Sequence, residues 1–176
     1  MTSDSGELTV AQYLSSNGIQ VTPIGRDAAA ALGVVAHTPA GWEAAPAEQF
    51  PGATAVLVET SFVENGFAPN AVLLVGKLST AVDSGPLLDC SFTDARLMPG
   101  WSETSASAED LGPWPARFLA GSFAAEQLEL NVTTRYAVLG VDEQYLVQLT
   151  VTILAGQAEK LAFDVAAIND GLFDLG

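Results

Sequence analysis

The chain carries one histidine and one cysteine among its 176 residues. A single cysteine closes no intrachain disulfide and builds no zinc site of several thiolates. A single histidine means that any serine–histidine or cysteine–histidine pairing must use His37. Basic side chains are scarce too: six Lys and Arg stand against 21 Asp and Glu, a net charge of -15. Such a surface repels phosphate backbones and anionic lipid head groups, which argues against nucleic acid and against direct membrane insertion. No run approaches the roughly 18 uninterrupted apolar residues of a spanning helix. The N-terminus, MTSDSGELTV, has neither a basic region nor an apolar stretch. It does not read as a secretory signal, and the expected location is the cytoplasm, or the cell envelope if a leader has been removed. The sequence holds no G-x-S-x-G, G-x-G-x-x-G, H-E-x-x-H or C-x-x-C. It also holds no phosphate loop: LVGKL has Gly76 and Lys77 but no upstream glycine. No cofactor or metal is expected.

Apolar residues are plentiful, at 49%, and the length suits one domain with a real core. Residues 1–7 are small and acidic and read as a frayed tail, with the domain over 8–176. LTVAQYLSSNG predicts a short helix, capped by Thr9 and ended at Gly18. IQVTPI reads as a short extended piece, RDAAAAL as a loop and LGVVAHTP as a strand stopped by Pro39. ATAVLVET and NAVLLVGKL are apolar runs of strand length, and Asn65-Gly66 between them is a strong turn signal. A second helix starts at Asp83, with Pro86 in its first turn, and ends at Pro99-Gly100. Then comes a meander: GWSETSASAED, WPARFLAGSFAAEQ, LELNVTTRYAVLG and EQYLVQLTVTILAG. In the last, Tyr145, Val147, Leu149, Val151 and Ile153 alternate with polar residues, which is period two. A final helix runs from about Gln157 to Phe173 on the stripe Leu161, Val165, Ile168, Leu172. The strand faces are too apolar to stay bare, so helices must cover them. That makes an α+β layered sandwich.

Few residues remain to carry chemistry. In HTPAGWE, Pro39 and Ala40-Gly41 make a turn and Trp42 folds back over the core edge. His37 ends a strand there and reads as a satisfied or solvent-facing side chain. The alternative is a hydrolase with His37 as base. Cys90 sits mid-helix beside Leu87, Leu88 and Phe92, with Asp89 and Asp94 near it, and reads as a buried hydrophobe rather than a thiolate. The acid pairs Glu109-Asp110 and Asp142-Glu143 lack the interleaved spacing of a calcium loop. The aromatic residues offer the one functional cluster. Trp42, Trp101 and Trp114 each sit beside Gly or Pro, with Phe62 and Phe67 on a hairpin loop. Together with His37 they make a candidate rim for an apolar or glycan-like ligand; the other reading is a plug at the end of a sandwich.

Four segments in order, LTVAQYLSSNGIQVTPI, HTPAGWE, NAVLLVGKLSTAVDSGPLLD and MPGW, resemble the LpqN/LpqT family of actinobacterial, chiefly mycobacterial, proteins. The resemblance runs from about Leu8 to the last helix. It implies a Mog/PsbP-like α/β/α sandwich with a central antiparallel sheet. It also implies a non-enzymatic role, as a binding or adaptor module for a protein partner or a glycolipid-like amphiphile. Many members are cell-envelope lipoproteins, with a signal and an acylated cysteine that this sequence lacks. Monomer and homodimer are both open, and a purely structural homo-oligomer is a further alternative.

Overall fold

The computed structural model describes residues 8–46 and 49–173; the expected tail over 1–7 lies outside them. Helix α1 (Val10–Ser16) begins with a capping box. The Gln12 backbone N–H donates to Thr9 Oγ1 at 3.1 Å, and the Thr9 N–H donates back to Gln12 Oε1 at 2.9 Å. The reciprocal pair satisfies two N–H groups that a helix start leaves orphaned. Strand β1 (Val21–Pro23) follows, then helix α2 (Arg26–Ala31). The alanine run therefore forms a helix, not the expected loop, because alanine loses the least on entering one. The expected strand LGVVAHTP also differs. Only Val34 bridges, to Phe173, and Val35 donates to the Leu172 carbonyl at 2.9 Å. Its first N–H groups, those of Leu32, Gly33 and Val34, bond back to α2, Val35 reaches the chain after the last helix, and the segment never joins the sheet.

Strands β2 (Glu43–Ala44), β3 (Ala55–Val58) and β4 (Asn70–Leu78) lead into helix α3 (Ser84–Arg96). Asn65 and Gly66 both take positive φ, 53° and 78°, and Glu64 and Phe67 exchange two 3.0 Å hydrogen bonds around them. That is the type I′ geometry the Asn-Gly pair favours. The meander is β5 (Ser102–Ser107), β6 (Ala116–Ala125), β7 (Leu128–Leu139) and β8 (Tyr145–Leu154), closed by α4 (Ala158–Asp170). All pairings are antiparallel. The sheet order is β2-β3-β4-β8-β7-β6-β5, with β1 beside the far end of β4. The central antiparallel sheet and its flanking helices are the sandwich expected.

Side-chain alternation gives the sheet two unlike faces. On one, α1 and α3 press Leu14, Leu87 and Leu88 against Tyr136, Val138 and Leu146. On the other, α2 and α4 bring Ala29 and Ile168 against Leu73, Val147 and Leu149. Burying a large aliphatic side chain contributes about 1.5–3 kcal/mol. Leu161, Ile168 and Leu172 of the expected stripe are buried, so that stripe docks α4. Cys90 is buried, and its thiol bonds the Pro86 carbonyl at 3.3 Å. Burial, then Asp94 and Asp89, push its pKa up, away from a thiolate.

Candidate ligand groove

The HTPAGWE stretch is built into the frame. The Trp42 N–H donates to the Pro39 carbonyl at 3.1 Å, and Gly41 turns at φ 91°. A Cβ on Gly41 would fall 2.5 Å from Glu59 Oε2, so only glycine fits this approach. Glu59 is itself buried and accepts from the Ser61 amide and hydroxyl. Trp42 is 5% exposed, and its indole N–H donates to Asp164 Oδ2 on α4 at 3.0 Å. The tryptophan thus fixes α4 to the turn. His37 is exposed, with its Cβ against Gly171. Among the described residues its imidazole makes no hydrogen bond or ion pair.

The aromatic residues do not assemble on one rim. Trp42 and Trp114 belong to the apolar cluster under α4. Trp101 lies on the opposite face of the sheet, filling the space where Gly121 lacks a side chain. Gly121 shares that face of β6 with Arg117, which pairs with Asp89 of α3 at 2.8 Å. Phe62 and Phe67 are half-buried, and the Phe62 carbonyl accepts from Gln157 Nε2 at 2.7 Å. That bond ties the turn at Thr60–Phe62 to the base of α4.

A different place has the form of a ligand site. Helix α4 lies over β8 and stops short of β6 and β5. Between its flank and the sheet runs an open groove of about 240 Å³. Ala158, Ala162 and Val165 form the helix wall, and Thr104 marks the β5 side. Steps of four and three put the wall residues on one side of the helix. The floor is a grid set by register. Ser122 of β6, Asn131 of β7 and Ile153 of β8 lie side by side, and Ala120, Thr133 and Val151 form the next rung. The rung beyond is Phe118, Arg135 and Leu149. Small and aliphatic residues make the groove apolar, and hydroxyl and amide groups punctuate it.

Two side chains at the Arg135 end keep unsatisfied atoms. Asn169 is 4% exposed; its Nδ2 donates to Thr133 Oγ1 at 2.9 Å and to the Val165 carbonyl at 3.0 Å, while its Oδ1 has no partner. The Arg135 guanidinium lies 4.9 Å from the Phe118 ring centroid, and its Nε is buried without a partner. Burial lowers the pKa of Arg135 and the charge of Asp170 opposes the shift. An arginine nonetheless stays protonated. Buried polar atoms without partners are uncommon in native folds.

Reading the sequence alone missed this groove. The signal was present in LELNVTTRYAVLG, where Asn131, Thr133 and Arg135 alternate with Leu130, Val132 and Tyr136. That pattern reads as an ordinary wet face. Only the path of α4 turns it into the floor of a groove.

A three-layer sandwich with an antiparallel sheet and one half-covered face defines the class. The family model described as "Probable lipoprotein LpqN" matches residues 6–173. The chain belongs to this family. LpqT of Mycobacterium tuberculosis, which carries a lipoprotein name, is 32% identical over 165 residues, spanning 91% of this chain and 70% of that one. The "Proline-rich 28 kDa antigen homolog" of Mycobacterium leprae is 28% identical over 142 residues, 80% of this chain and 51% of that one. The crystal structure of LpqN, "involved in cell envelope biogenesis of Mycobacterium tuberculosis", superposes with a TM-score of 0.78. It covers 93% of this chain and 95% of its own, at 24% identity, and so supports the fold. The expectation of a cytoplasmic protein finds no support in these relatives.

Proposed function

We propose that this protein is a non-catalytic binding domain that works at the cell envelope and holds an amphiphile in the groove beside α4. The observation that carries this reading is the groove itself. It pairs an apolar floor and wall with hydroxyl and amide groups at fixed register positions, the mixture by which small-molecule sites combine affinity with orientation. Its volume of about 240 Å³ lies below the roughly 300–1,000 Å³ of enclosed drug-sized sites. That size suits one hydrocarbon chain with its head group outside or at the rim. The lipoprotein names of the relatives support the envelope location. The rim of tryptophans does not serve this reading, because Trp42 is used to hold α4 and Trp101 faces the other way.

Calorimetric titration with dodecyl maltoside below its micellar concentration tests the reading. Ala162 is exposed on the helix wall, so Ala162→Trp fills the groove mouth without entering the core. The expected result is saturable binding to the native chain and loss of roughly tenfold or more in affinity in the variant. Equal binding by both would place the ligand elsewhere and overturn the assignment.

A further inference from the structure

We propose that the groove selects a single-chain amphiphile with a carboxylate head, and that Arg135 is the anchor of that head. This rests on the reading of the groove as a ligand site. Three of the chain's six cations meet a carboxylate within 3.1 Å: Lys77 with Glu143, Arg96 with Glu103 and Arg117 with Asp89. In a chain with 21 acidic residues such partners are easy to find. Among the described residues Arg26, Lys160 and Arg135 have none; the first two are exposed, and Arg135 is half-buried. Asp170 acts on it only through its field. Instead its guanidinium is held against Phe118 at 4.9 Å, with Nε buried and unpartnered. Stacking fixes the plane of the fork and so lowers the entropy lost when it grips a planar anion.

The register supplies a second donor. Thr133, itself part of the groove floor, occupies the next rung on the same face. Its Oγ1 already accepts from Asn169 Nδ2 at 2.9 Å. The hydroxyl proton of Thr133 is thereby turned away from Asn169 and is left to donate. Thr133 lines the groove and Arg135 stands one rung beyond it on the same face, so the two place donors at and just past the end of the apolar lining. A carboxylate accepts from both, while its alkyl chain runs over Ala120, Val151 and Ile153. The protein's overall negative charge slows the approach of such an anion but does not remove the local pair. Screening confines that repulsion to about 8–10 Å in physiological salt.

The test compares two probes with the same chain, dodecanoate and dodecyl maltoside, by calorimetry on the native protein and on Arg135→Gln, Arg135→Lys and Ala162→Trp, with circular dichroism to confirm each fold. The proposal predicts that dodecanoate binds more tightly than the maltoside. Arg135→Gln then weakens dodecanoate by roughly tenfold or more and leaves the maltoside unchanged, and Arg135→Lys falls between. Binding of dodecanoate that is indifferent to Arg135→Gln, in a variant that folds, overturns the anchor while the groove reading stands. Failure of both probes to bind the native chain overturns both. If Arg135→Gln does not fold, Arg135→Lys decides: unchanged dodecanoate affinity there, with the fork lost, counts against the anchor.

Discussion

The two faces of the sheet are covered by helices of equal length and yet end up unlike. Helices α3 and α4 each span 13 residues. Helix α3, helped by α1, closes its face with leucines against β6 and β7. Helix α4 lies over β8 and leaves the β5–β6–β7 half of the other face floored by Ala120, Ser122, Asn131 and Thr133. The same strands supply both surfaces by alternation. One face is therefore closed throughout, and the other carries a core under α4 and an open groove beside it. Both faces hold buried clusters, and only the second leaves part of the sheet open.

Substitutions in the two faces should separate those properties. The largest effect is expected from Leu87→Ala, at a fully buried position of α3. Loss of roughly 2–5 kcal/mol of unfolding free energy is expected, read by urea denaturation, with ligand binding kept in the folded fraction. Next is a pair of neighbours on β6 that point in opposite directions. A Cβ on Gly121 would lie 2.5 Å from the Trp101 ring and from the Ser102 carbonyl oxygen. Gly121→Val therefore costs about 1–3 kcal/mol through overpacking and leaves the groove as it is. Ser122→Leu, one residue on, enters open space. It should change stability by less than about 0.5 kcal/mol and abolish binding of a dodecyl chain. If the two behave alike, the division between faces is wrong.

A smaller effect is expected in the pH dependence of the closed face. Asp94 of α3 accepts from the Val10 N–H at 2.9 Å and from the Tyr136 hydroxyl at 3.3 Å, so it joins α1, α3 and the sheet. Burial outweighs those bonds and raises its pKa above 3.8. The folded chain then keeps the proton to higher pH than the unfolded chain does. Stability tied to this group is present at low pH and declines as pH rises through that raised value. Asn in its place cannot ionise. The melting temperature of Asp94→Asn relative to the native chain should therefore rise between pH 4 and pH 7. A flat difference would show that Asp94 is solvated like a surface carboxylate.

Much of this architecture is legible from periodicity. The apolar run NAVLLVGKL is β4 residue for residue, and the stripe at Leu161, Ile168 and Leu172 docks α4. Local capping and turn chemistry is legible as well, in the Thr9 cap and in Asn65-Gly66. The segments misjudged from sequence are those whose state is decided by neighbours. RDAAAAL is short and lacks a side-chain cap, yet its alanines suffice once Ala29 is buried. LGVVAHTP has strand composition but finds its partner in the chain after α4. The groove is the least legible part. It arises from where α4 lies across the sheet, and the polar alternation of β7 reads as an ordinary wet face until that placement is known. The tryptophans were conspicuous by their Gly and Pro neighbours, but the glycine beside Trp42 marks close packing against Glu59 and the one beside Trp101 marks a turn at positive φ.

The most direct measurement is chemical-shift mapping by NMR of the native chain titrated with dodecanoate. The account predicts that shifts concentrate on Ala120, Ser122, Thr133, Ile153 and Ala162, with Leu88, Tyr136 and Val138 on the closed face unmoved. Shifts centred on the α1–α3 face, or on Trp101, would contradict it.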